Sequence, residues 1–85
     1  MKYGMFSVYD IQAQIFSAPF TSVSVETATR DFGRAVALSR GSTDKFPEDY
    51  QLFHIGGFDS ETGSVYSLNQ PALLVKGVDY LSQEA

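Results

Sequence analysis

The chain has 85 residues, enough for one domain with a small core, and no cysteine, so neither a disulfide nor a thiolate metal site is available to it. Hydrophobic residues make up 44% and charged residues 19%, a balance that excludes a disordered polyelectrolyte. The net charge of −4 opposes general attraction to nucleic acid or to anionic membranes, so any nucleic-acid contact must come from a local basic patch, from base stacking or from assembly of several copies.

Residues 1–85 read as a single domain with 82–85 frayed. No signal peptide is expected, because Asp10 soon interrupts the apolar stretch from Tyr3 to Val8, and no run has the length of a membrane-spanning helix. Tyr3 to Tyr9 alternates as a strand, with Tyr3, Met5, Ser7 and Tyr9 on one face and Gly4, Phe6 and Val8 on the other. Asp10-Ile11-Gln12-Ala13 is a turn in which Asp10 bonds the backbone ahead of it. Gln14 to Ala18 returns as a second strand, and Pro19 ends its ladder or places it at an edge.

Ser24 caps a helix over about 25–40, with Glu26 in the first turn where the helix dipole favours a carboxylate. Ala28, Phe32, Ala35, Val36 and Ser39 recur at helical spacing as a small apolar face centred on Phe32. Arg40 falls in the last turn and Gly41 supplies the C-cap. Gly33 costs up to about 1 kcal/mol relative to alanine inside a helix, which points to a close approach there by the sheet or by another helix. Ser42 to Phe46 is a polar loop.

Pro47, with its fixed φ, opens a hairpin. Tyr50 to Phe58 is a strand of aromatic and branched residues, Asp59-Ser60-Glu61-Thr62-Gly63 is the turn, and Val65 to Leu68 leads back. Ala72 to Val75 forms a short fifth strand, and the pattern of 77–81 fits no one element. The order predicts an α+β fold: an antiparallel sheet of four or five strands, in ββαββ order, with one helix packed on one face. The opposite face must meet solvent, a second subunit or a ligand, and function is expected there. A small aromatic-rich chain without disulfides is also a candidate homodimer.

Two groups of residues carry the binding chemistry. Arg30 and Arg34 share a helix face opposite Phe32, and Arg40 and Lys45 follow. They read either as a solvated face or as a strip tracking a phosphate backbone, weakened by Asp31 and sensitive to salt. Tyr3 and Tyr9 read either as a base-stacking platform or as core and dimer interface, with Tyr50 and Tyr66 in the second hairpin. Phe6, Phe16, Phe32, Phe53 and Phe58 are expected in the core.

His54 lies in an apolar strand and reads as structural, since a metal would need Asp49 and Asp59 to converge on it. Gly56-Gly57 reads as a bulge, since the pattern of a phosphate loop is missing around it. No serine has a nucleophile-elbow setting, so no enzyme, cofactor or metal is expected.

Met1-Lys2-Tyr3, Phe6-Ser7-Val8-Tyr9-Asp10, Ala18-Pro19-Phe20 and the segment from Pro47-Glu48-Asp49-Tyr50 to Gly63 together resemble the small nonstructural protein of gokushoviruses. These are Microviridae, tailless bacteriophages with circular single-stranded DNA. The resemblance covers about residues 1–68 in the same order and at similar spacing. It implies a nonenzymatic protein of the host cytoplasm that binds DNA, with single-stranded DNA as its partner. It also implies a role in genome replication, at the switch from duplex to single-strand synthesis. The family offers no motif of binding residues to transfer, so Arg30, Arg34, Arg40, Lys45, Tyr3 and Tyr9 stand as candidates on the residue reading alone. The alternative, favoured by the acidic balance, is a dimeric interaction module that recruits a viral or host replication or assembly protein without touching DNA.

Overall fold

The computed structural model describes residues 1–39 and 47–81. β1 (Lys2–Asp10) pairs on one side with two short strands, β2 (Ile15–Phe16) and β3 (Phe20–Ser22). On its other side it pairs with β4 (Tyr50–Asp59), and β5 (Ser64–Lys76) forms the far edge. All pairings are antiparallel. α1 (Val25–Ser39) lies on one face, and a single helical turn, α2 (Val78–Leu81), follows β5. The α+β architecture expected from the chain order is the one that forms.

Local chemistry accounts for most boundaries. The Asp10 carboxylate accepts from the Gln12 and Ala13 N–H groups at 2.9 and 3.1 Å, which fixes the first turn. The returning strand is shorter than Gln14 to Ala18 because Ser17 intervenes. Its hydroxyl accepts from the Val8 N–H at 3.0 Å, and Pro19 then has no N–H to give the ladder. Pairing resumes at Phe20, as a strand that the sequence pattern did not single out. Ser24 Oγ accepts from the Thr27 N–H at 3.0 Å, the expected N-cap. The second hairpin closes with the Gly63 N–H bonded to Asp59 O at 2.8 Å and Gly63 at φ 74°.

β4 and β5 are joined with two irregularities. His54 pairs with Ala72 and Gly56 with Ser67, so Ile55 alone stands opposite the four residues 68–71. The expected fifth strand is therefore the second half of β5. Pro71 lies in the excursion, where no ladder hydrogen bond is asked of it. Ile55 is unpaired towards β1 as well, since Met5 pairs with Gly56 and Phe6 with His54.

Phe6, Ala28, Phe32, Val36 and Leu52 are buried between α1 and the sheet, ringed by Val8, Tyr50, Leu74, Val75 and Tyr80. Each fully buried Phe, Leu or Val contributes about 1.5–3 kcal/mol by leaving water. Ala35, expected on this face, is exposed. A Cβ on Gly33 would stand 2.9 Å from the Tyr80 ring, so the close approach expected there is made by α2. No described helix is long and apolar enough to cross a membrane. Arg40, Gly41, the loop 42–46, the side chain of Ser39 and residues 82–85 lie outside the described residues.

Candidate functional site

The side of the sheet turned away from α1 follows from strand alternation and register. β1 places Tyr3, Met5, Ser7 and Tyr9 there, the face expected from the sequence. Their partners on β4 are Phe58, Gly56, Phe53 and Gln51, and β5 adds Val65, Ser67, Leu73 and Lys76. Phe16 joins them as the cross-strand partner of Tyr9. None of these ladder positions is a carboxylate, and Lys76 is their one charge.

The rings form two groups. Tyr9, Phe16 and Phe53 meet with centroids 4.7, 5.3 and 6.1 Å apart, in tilted and edge-on arrangements. At the other end, Tyr3 and Phe58 are 6.4 Å apart. Such pairs add about 0.5–1.5 kcal/mol each beyond their buried area, so the rings hold one another in place. Between the groups, Ser7 is 1% exposed, and its hydroxyl donates to Ser17 O at 2.8 Å. The chain leaving β2 thus covers the middle of the face and leaves the ring groups half-exposed on either side.

Three expected core phenylalanines belong to this surface instead. Phe16 is 42% exposed, and Phe53 and Phe58 are half-buried. Phe53 and Phe58 are five residues apart, so a regular strand would put them on opposite faces. The unpaired Ile55 resets the alternation and brings both to the same side. The Gly56-Gly57 pair was the available signal. Tyr50 packs against the core, and the Tyr66 ring lies over Gly57 on the helix side, so neither joins the face.

Arg30 and Arg34 are exposed on α1, whose Phe32 points into the core. They therefore stand on the side of the molecule opposite Tyr3 and Tyr9. Arg40 and Lys45 lie outside the described residues. Of the cations that sequence alone groups with the rings into one interface, the two described, Arg30 and Arg34, are not brought to those rings.

His54 stacks on Phe6, with centroids 5.0 Å apart and planes at 25°. Its Nε2 is 2.9 Å from the Gly56 carbonyl. Asp49 and Asp59 stand at opposite ends of the ten-residue β4, roughly 30 Å apart at about 3.3 Å per residue, and cannot converge on it. Among the described residues no three His, Asp or Glu gather as metal ligands. The chemistry this surface offers is stacking and apolar contact without anionic repulsion.

A family model described as Phage ORF5 protein matches residues 3–80 of the chain. No curated protein and no solved structure gives a match.

Proposed function

We propose that this chain, which belongs to the Phage ORF5 protein family, is a nonenzymatic single-stranded DNA-binding protein that stacks bases on the sheet face turned away from α1. One observation carries the reading: in a chain of net charge −4, this face gathers five aromatic rings and no ladder carboxylate. Base stacking on exposed rings tolerates any sequence and is worth about 1–3 kcal/mol per base. The resemblance to the gokushovirus nonstructural protein gives the reading its setting: genome replication in the host cytoplasm, at the switch from duplex to single-strand synthesis. Fluorescence anisotropy with a labelled mixed-sequence single strand tests it. Tyr9→Ala and Phe53→Ala should each weaken binding roughly 10-fold, within the range of one lost stack. No binding by the unaltered protein, even at low salt, would overturn the proposal.

A second reading rests on β5. From Ser64 to Val75 this edge strand carries no charge, and Val65, Tyr66 and Leu73 are 64%, 53% and 45% exposed. Edge strands that remain unpaired are usually guarded by lysine or other charge. A homodimer joined along β5 would present both aromatic faces to a viral or host replication or assembly partner. Light scattering decides the oligomeric part. Ser67→Lys, which sets a charge on the edge, should turn a dimer into a monomer. A monomer at all concentrations before substitution would sink this reading.

A further inference from the structure

On the helix side of the sheet, at its hairpin end, a cavity of about 240 Å³ opens between Lys2, Gly4, Ser24, Val25, His54 and Tyr66. Its construction follows from the glycines. A Cβ on Gly57 would overlap the Tyr66 ring, which lies over it, and a Cβ on Gly4 would meet the Phe6 ring. Tyr66 is nonetheless 53% exposed, so one side of the ring rests on the strand while much of the rest stays open. The His54 ring, stacked on Phe6, also lines the cavity. The start of α1 closes a third side.

The polar groups are as selective as the shape. The Gly56 carbonyl can only accept, so His54 Nε2 donates the 2.9 Å hydrogen bond between them. That fixes the neutral tautomer and leaves Nδ1 as an acceptor, with no partner among the described residues. Lys2 forms no ion pair among the described residues. The carboxylate of its cross-strand neighbour Asp59 is turned to the Glu61 N–H at 2.9 Å. Two aromatic rings in the lining, one hydrogen-bond acceptor on His54 and an ammonium with no ion pair among the described residues complement a nucleotide. The volume falls below the roughly 300–1,000 Å³ of pockets for drug-sized ligands, and suits a single ring system.

We infer that this cavity receives one nucleobase of a bound single strand, between Tyr66 and His54, with its phosphate towards Lys2. The inference rests on the single-strand reading above and adds a base preference to it. His54 has an acceptor to offer, so bases with an exocyclic amine are favoured over thymine, whose one donor, N3–H, sits between two carbonyl oxygens. The aromatic face on the other side of the sheet supplies general stacking, and this cavity supplies the selection.

The test combines anisotropy with labelled oligo(dA) and oligo(dT) and amide NMR shifts on adding deoxyadenosine monophosphate. Oligo(dA) should bind about 10-fold more tightly than oligo(dT). The mononucleotide should shift Gly4, Ser24, Gly57 and Tyr66 saturably. His54→Phe retains a ring against Phe6 and removes the acceptor, so it should abolish the preference while keeping the circular-dichroism spectrum. Tyr66→Ala should weaken oligo(dA) at least 5-fold, the low end of one lost stack. Equal affinity for the two oligonucleotides with unmoved cavity amides overturns the cavity while the single-strand reading stands. Absence of binding to both oligonucleotides overturns that reading and this inference with it. A preference that persists in His54→Phe also refutes the assignment.

Discussion

At the scale of single residues, what a side chain would meet decides its cost. A Cβ at Gly56 would run into the Tyr66 carbonyl oxygen, whereas one at Gly57 would meet the Tyr66 ring. The carbonyl belongs to the β4–β5 ladder and cannot retreat without opening it, while a half-exposed ring can swing aside. Gly56→Ala should therefore cost about 3 kcal/mol and Gly57→Ala about 1 kcal/mol, read from urea midpoints. Equal costs would show that the strand, not the ring, is what yields. Tyr80 supplies a pH dependence. Its hydroxyl donates to Thr29 O at 3.2 Å, and burial, aided by the Asp79 charge, pushes its pKa above 10.0. The folded state then holds this proton more tightly than the unfolded chain does. Its contribution is fully present below pH 10 and is lost as pH rises through the raised folded value. Unfolding midpoints measured on the alkaline side should fall for the unaltered protein and fall less for Tyr80→Phe. Parallel declines would assign the alkaline loss to other groups.

At the scale of elements, the features written in local chemistry were legible in the sequence. The Asp10 turn, the Ser24 cap, the helix with its Ala28–Phe32–Val36 stripe and the Gly63 hairpin each depend on residues within a few positions of one another. Ser17 and Ile55 show why the rest was not. Ser17 reads as an ordinary strand residue, yet its hydroxyl takes the Val8 N–H and so shortens β2 and frees the chain to pair again at Phe20. Ile55 reads as one more branched residue in a strand, yet neither neighbour pairs with it, and every side chain beyond it changes face. Period-2 reasoning is correct for β1, which pairs across its whole length, and fails for β4 at one position. The candidate site inherits both outcomes: alternation along β1 puts Tyr3 and Tyr9 on the correct face, whereas the same alternation misplaces Phe53 and Phe58 because the bulge is a property of the pairing, not of the strand.

At the scale of the molecule, the separation of charge from rings changes what salt should do. Sequence grouping gives four cations for one phosphate track, and single-strand binding then loses affinity with a logarithmic slope of about −0.7 per phosphate, or about −3 in all. The fold turns Arg30 and Arg34 away from the aromatic face, whose described ladder positions carry one charge, Lys76, and Lys2 borders the cavity. On the proposed reading, these two lysines are the described cations beside the contacts, and they supply a slope of between about −0.7 and −1.4. On that reading affinity comes mainly from stacking, at about 1–3 kcal/mol per base. Anisotropy titrations across a salt series should therefore give a shallow slope, unchanged in Arg30→Ala/Arg34→Ala and reduced in Lys76→Ala. A slope near −3 that collapses when the two arginines are removed would move the DNA to the α1 side and leave the aromatic face to a protein partner.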